Sequence, residues 1–280
     1  MQSKVVNRLL CVMFIAISLL LVSCGGKGIS IAAYKGKSAQ KVYKLGKHFL
    51  KKQGYKDAIA AFESLNAQYP FSKYSESGNL NLMYAYYEYG EPELALVIIN
   101  RFLQLYPHSE HADYAYYVKG VIEFENHRNI LQKYLPYKMS EHDDEHHILA
   151  FNTFKQLVKE YPKSKYAKDA IKRMLFIRDS VASHVVSIAK FYFDRKAYIA
   201  AIARAKEVIQ HYEHTPAVKD ALRIMLKSYR KLGLTKLADT TEKVWKVNFT
   251  KPAYKQHHVS TSSIKQQDLP KPAMISSKVK

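Results

Sequence analysis

Residues 58–70 read AIAAFESLNAQYP, residues 95–107 read ALVIINRFLQLYP and residues 150–162 read AFNTFKQLVKEYP. Each stretch places an alanine, a bulky residue four positions on, another three later, and then Tyr-Pro. The three copies are Ala58, Phe62, Leu65, Tyr69 and Pro70; Ala95, Ile99, Phe102, Tyr106 and Pro107; and Ala150, Phe154, Leu157, Tyr161 and Pro162. Steps of four and three bring these side chains onto one stripe of an α-helix. The proline ends it, since it has no amide hydrogen and disfavours helical geometry in the residue before it. Ala201, Ala205, Val208 and Tyr212 keep the spacing, with proline delayed to Pro216. Ala238, Glu242, Trp245 and Phe249 form a degraded fifth copy without proline, as the terminal repeat of an array would.

Working outward, each of these helices needs a partner before it. Ahead of the first copy, Val42, Leu45, Gly46, Phe49 and Tyr55 follow the tetratricopeptide pattern, with Gly46 expected where two helices approach. Glu91-Pro92 opens the later helix of the next pair, because proline at the first helical position forfeits no internal hydrogen bond. Successive alanines stand 37, 55, 51 and 37 residues apart, against about 34 in the usual repeat. The two middle repeats therefore carry extra chain. One excess lies between Asn126 and Ile148, and the other is a long helix expected from about Ser164 to Asp194. Runs of period two bounded by hairpin turns are missing. The fold class predicted is all-α, a superhelical array of about five tetratricopeptide-type helix pairs over residues 39–249.

The flanks have a different character. Lys4 and Arg8 precede an apolar run from Leu9 to Val22, the layout of a secretory signal peptide and too short for a stable membrane span. The run ends in Leu21-Val22-Ser23-Cys24, which is similar to the lipobox of bacterial lipoproteins. Residues 1–23 are expected to be a signal peptide, 24–38 a linker anchored through lipid on Cys24, and 250–280 a basic disordered tail. Cys11 falls within the removed segment. The mature chain would keep one cysteine, already acylated, so no disulfide braces the fold. Gly25 rather than Asp after Cys24 favours sorting to the outer membrane, by resemblance to the enterobacterial rule.

Net charge is +20, and removing Lys4 and Arg8 leaves +18. A balance this basic suits anionic lipid, acidic protein partners or nucleic acid, and equally a solvated lysine-rich surface. Catalytic chemistry has little support. His142 and His146, within Glu141 to His147, share one helical face at a spacing used by metal sites, but no third ligand is suggested. The neighbouring acids have a sufficient reason to be there in the dipole of a helix start. Gly25-Gly26-Lys27-Gly28 lacks phosphate-loop spacing. No Gly-x-Ser-x-Gly occurs and Cys24 is taken by lipid, so neither an enzyme nor a metal or cofactor other than that lipid is expected. Tyr84, Tyr86, Tyr87 and Tyr89, with Tyr114, Tyr116 and Tyr117, carry two open readings. They are either half core with hydroxyls reaching water, or an aromatic groove for an extended peptide.

Taken in order, Tyr69-Pro70-Phe71-Ser72 with Tyr74, Tyr84-Ala85-Tyr86-Tyr87, Asn100-Arg101-Phe102, Tyr161-Pro162-Lys163-Ser164 and Asp169-Ala170-x-Lys172-Arg173 behind a lipobox resemble the BamD family. These are lipoprotein subunits of the bacterial β-barrel assembly machinery. The resemblance implies five repeats on the periplasmic face of the outer membrane and a non-catalytic scaffold. It implies that the N-terminal repeats receive unfolded outer-membrane proteins, assigned here to a groove of Tyr69, Pro70, Phe71, Tyr74 and Tyr86. It also implies that the C-terminal repeats bind the barrel-forming subunit, with Arg204 as the docking arginine, and that other assembly lipoproteins are partners. The surroundings of Arg204, Ala203-Arg204-Ala205-Lys206-Glu207, are less aliphatic than the family's. Nucleic acid is not expected as a partner. The alternative is a competence or peptidoglycan-associated lipoprotein that binds polyanions, whose contacts would be salt-sensitive.

Overall fold

The computed structural model describes residues 31–125 and 143–249. The signal peptide, Cys24, His142 and the tail 250–280 lie outside the described residues, as do the side chains of 143–146. Among the described residues there is one 3-10 turn, Ile31–Tyr34, and ten α-helices, with no strand. The helices are α1 (Ala39–Lys51), α2 (Tyr55–Gln68), α3 (Ser75–Tyr89), α4 (Pro92–Leu105), α5 (Ala112–Glu125), α6 (Asp143–Glu160), α7 (Ala167–Asp194), α8 (Tyr198–His211), α9 (Ala217–Lys231) and α10 (Thr235–Phe249). Helices α1 and α2 pack together, and consecutive helices do so from α4 through α10, so the all-α repeat reading holds. The chain divides into two compact units, one ending at Ala85 and the other beginning at Tyr86.

The repeated stripe is the core. Positions 58, 62, 65, 95, 99, 102, 150, 154, 157, 201, 205 and 208 are all 0% exposed. Each bulky member contributes roughly 1.5–3 kcal/mol by leaving water. Gly46 sits where the sequence placed it, under the Phe62 ring: a Cβ there would come within 2.7 Å of ring carbons. The second unit repeats the device, since a Cβ on Gly120 would lie 2.5 Å from the Phe154 ring. A small residue on the first helix of a pair lets the aromatic on the second bring the backbones together.

Two kinds of junction alternate. Within pairs the turn uses a residue in the left-handed region, Gln53 (φ 57°), Gly90 (86°), Lys196 (63°) and Gly233 (72°), the usual way to satisfy a helix's last carbonyls. Between pairs, the amides of Tyr69, Tyr106, Tyr161 and Tyr212 close the preceding helix on Leu65, Phe102, Leu157 and Val208. The carbonyls of those tyrosines then accept from the amides of Ser72, Ser109, Ser164 and Thr215 at 2.9–3.2 Å. Proline thus follows the helix end without losing a bond, which is why the Tyr-Pro signature reads out so cleanly in sequence.

The long helix α7 has 28 residues, about 42 Å at 1.5 Å each. It starts three residues later than expected, after the Tyr161–Ser164 turn. Its first half packs into one core with Tyr117, Val121, Phe124, Ala150, Phe154 and Leu157. Its second half, from Ala182 to Ala189, enters another with Ala205, Val208, Ala217, Ala221 and Met225. Inside the first core lies Arg173, whose side chain is 1% exposed. Its Nε donates to Asp169 at 2.7 Å, and its guanidinium carbon lies 5.4 Å from the Phe124 ring centre and 5.9 Å from that of Tyr117. The Tyr117 hydroxyl donates to the same Asp169 oxygen at 2.8 Å. Burial pushes that hydroxyl well above the ordinary tyrosine range, so it remains a donor.

One boundary moves. The linker expected to reach residue 38 is folded from Ile31 onward: Tyr34 is buried, and its hydroxyl donates to the Asp57 carbonyl at 3.4 Å. The Tyr69 hydroxyl donates to the Lys37 carbonyl at 2.7 Å. An aromatic anchor within a lysine- and glycine-rich stretch is the physical reason. The fifth stripe is as weak as its sequence, with Ala238 buried while Glu242, exposed enough to meet Arg230 and Lys246, lies at the surface. None of the described helices is long and apolar enough to cross a membrane.

Candidate functional site

The loop joining α2 to α3 is fastened at several points. Besides the Tyr69 bond to Lys37, the Ser75 hydroxyl donates to the Tyr69 carbonyl at 2.6 Å. The Ser72 and Ser75 hydroxyls lie 2.9 Å apart, and the Ser75 amide donates to the Ser72 carbonyl. Tyr74 rests against Tyr43, ring centres 5.3 Å apart, with the Lys73 ammonium 5.6 Å over its own ring. Between these fixed points Pro70 is exposed and Phe71 is 99% exposed. A phenylalanine presented whole to water on a hydrogen-bonded loop has no role in the fold's core. Tyr69 and Tyr74 are half-buried and flank it in sequence.

Of the groove expected from the sequence, Tyr69, Pro70, Phe71 and Tyr74 fall together in the first unit. Tyr86 is buried, on the same stripe of α3 as Leu82, so it presents little surface to a ligand. The other tyrosines divide: Tyr114 and Tyr117 are buried, Tyr84, Tyr87 and Tyr116 half-buried, and Tyr89 exposed. The Tyr87 hydroxyl donates to Glu125 at 2.8 Å, and burial followed by that carboxylate raises its pKa.

Arg204 is on the outer side of α8, its side chain half exposed, with Nη1 3.1 Å from the Glu207 carboxylate. Ile199, five residues earlier and on a different side of the helix, is 75% exposed. The helix thus carries an accessible guanidinium paired with a carboxylate three residues on. The sequence reading missed a further surface on α4, where Leu94, Val97, Arg101 and Leu105 form an exposed stripe opposite Ala95, Ile99 and Phe102. Contiguous exposed apolar residues mark interaction surfaces. Its signal was present in a helix apolar on two faces, one more than packing requires. Among the described residues no group of three His, Cys, Asp or Glu is placed to hold a metal ion.

Residues 35–244 match the model of the YfiO family, described as outer membrane lipoprotein. Relatives named "Outer membrane protein assembly factor BamD" include that of Neisseria meningitidis, 34% identical over 220 residues, or 79% of this chain and 82% of that protein. The Vibrio cholerae relative is 37% identical over 191 residues, 68% of this chain and 79% of its own length. That of Haemophilus influenzae is 31% identical over 84% of this chain and 88% of its own. With three quarters of the chain matched by one family model and relatives this similar along most of their length, the chain belongs to the YfiO family of outer-membrane lipoproteins.

Proposed function

We propose that this chain is a non-catalytic scaffold for assembling outer-membrane β-barrel proteins, held to the periplasmic face of the outer membrane by lipid on Cys24. Incoming unfolded barrel proteins dock on the loop Tyr69–Tyr74. The barrel-forming subunit of the machinery docks on the face that carries Arg204, and other assembly lipoproteins are further partners. The relatives' names, outer membrane protein assembly factors, support the coarse reading. The observation that carries the site is Phe71, fully exposed on a loop that its neighbours hold still. Leaving a phenylalanine ring in water forgoes roughly 1.5–3 kcal/mol, which a ligand that covers it recovers. Because the loop is already ordered, little conformational entropy is lost on binding.

Phe71→Ala is expected to weaken binding of an unfolded barrel protein about 10- to 100-fold, the range of a small hot spot. The urea midpoint of the isolated chain should not move, since the ring has no contacts to lose. Fluorescence anisotropy with a labelled, urea-diluted barrel protein measures the first, and circular dichroism the second. Equal affinity for the variant and the wild type contradicts the placement of the site.

A further inference from the structure

Helix α1 sorts its residues by charge as sharply as by hydropathy. Val42, Tyr43, Gly46 and Leu50 are buried, while Lys41, Lys44, His48 and Lys51 are exposed at steps of three, four and three, which place them on one stripe. Lys35, Lys52 and Lys56, close by in the chain, are exposed too. Between residues 31 and 56 there are eight lysines and no acid, and the first acidic residue of the whole chain is Asp57. Lys41, Lys44 and Lys51 have no carboxylate partner among the described residues. Elsewhere surface cations do meet acids within their own or the adjoining helix, as in Lys190–Asp194, Arg204–Glu207 and Arg230–Glu242.

Helix stability accounts for part of this stripe and not the rest. His48 and Lys51 sit in the last turn, where the helix dipole favours cations. Lys41 occupies the first turn, three residues after the N-cap Ser38, where the dipole disfavours a positive charge and where acids are usual; α1 has none there. Lys41 and Lys44 also line a shallow depression of about 460 Å³ together with Ser38, Gln40, Leu45 and His48. The first described residue, Ile31, follows Cys24 by seven positions, so the chain between them spans at most about 25 Å.

We propose that the Lys41–Lys44–His48–Lys51 face of α1 is a membrane-contact surface that binds the phosphate-bearing headgroups of anionic phospholipid. It rests on the lipid-anchor reading in one respect, that Cys24 keeps α1 near a bilayer. Basic residues next to a membrane anchor add attraction to anionic lipid, and one acyl signal is commonly supplemented by such a patch. The contact would fix which side of the first unit faces the bilayer, a role that a flexible tether cannot fill.

The test uses the mature chain carrying Cys24→Ser, so that any binding comes from the protein surface. Vesicles of phosphatidylcholine alone, or with about one third phosphatidylglycerol, are sedimented in about 0.15 M salt. Binding to the anionic vesicles and not to the neutral ones is expected. The triple variant Lys41→Gln, Lys44→Gln, Lys51→Gln should lose about a hundredfold in partition, some fivefold per lysine. A second triple variant, Lys227→Gln, Lys231→Gln, Lys243→Gln, removes the same charge from exposed positions on α9 and α10 and should lose no more than about threefold. Circular dichroism checks that both are folded. No binding to anionic vesicles, or equal losses in the two triples, overturns the proposal. So does preference for a double-stranded DNA fragment with vesicle binding absent. The mass of the Cys24 peptide from cells tests the anchor separately: unmodified Cys24 with intact vesicle binding refutes the anchor alone, and acylated Cys24 without it refutes the face alone.

Discussion

Arg173→Ala is expected to lower the unfolding free energy by about 3–5 kcal/mol, the cost of stranding a charge whose partner is removed from a protein interior. Arg173 is enclosed among α5, α6 and α7, with Asp169 on its Nε and the rings of Tyr117, Phe124 and Phe154 around its guanidinium. The alanine variant leaves the Asp169 carboxylate with the Tyr117 hydroxyl and an empty space where the guanidinium stood. For a chain of this size the midpoint of thermal unfolding should fall on the order of 10 °C. The pair rather than the cation is what matters, so a double-mutant cycle decides the cause. Arg173→Met with Asp169→Asn removes both charges and keeps most of the volume, and it should recover a large part of the loss. A loss below about 1 kcal/mol for Arg173→Ala would remove this cluster from any account of the core.

Arg204→Glu should act on a partner and not on the fold. The Arg204–Glu207 contact is a surface pair within one helix, of a kind that contributes little to stability. Under the proposed docking the guanidinium would meet a carboxylate on the barrel-forming subunit in a planar two-bond fork that lysine does not reproduce. Reversing its charge is expected to weaken the complex by about 2–5 kcal/mol, as a partner carboxylate is left unpaired or repelled. Arg204→Lys should fall between the two. Co-purification from strains with equal amounts of chain measures the effect, and a compensating charge reversal on the partner should restore part of the binding. Unchanged co-purification of the Arg204→Glu chain removes Arg204 from the interface.

Most of the fold was legible because its determinants are local. A stripe at steps of four and three fixes which helical face is buried, and Tyr-Pro fixes where the helix stops, so the positions from Ala58 to Val208 could be named from sequence alone. Gly46 was legible for the same reason, since a missing side chain in a repeat pattern marks a close approach. What was not legible depends on neighbours distant in sequence. Tyr34 looked like part of a linker because nothing beside it in the chain reveals that α2 covers it. Arg173 stood in a recognised motif, yet its burial follows from three rings contributed by two other helices. The exposed loop Tyr69–Tyr74 could be named from sequence because its residues adjoin in the chain and Tyr-Pro marks the end of α2. The burial of Tyr86 was not legible, because sequence periodicity cannot say which side of α3 is enclosed when tyrosines occur on several. The stripe on α4 escaped for the converse reason: apolar residues on two faces read as a helix that is simply well buried.

Depleting the chain from growing cells and quantifying folded β-barrel proteins in the outer membrane tests the scaffold reading most directly. The account predicts that folded, heat-modifiable barrels fall together as the chain disappears, with unfolded precursors accumulating in the periplasm, and that re-expressed wild-type chain restores them while Phe71→Ala chain at equal level restores them less. Undiminished amounts of folded barrels in cells that have lost the chain would contradict it.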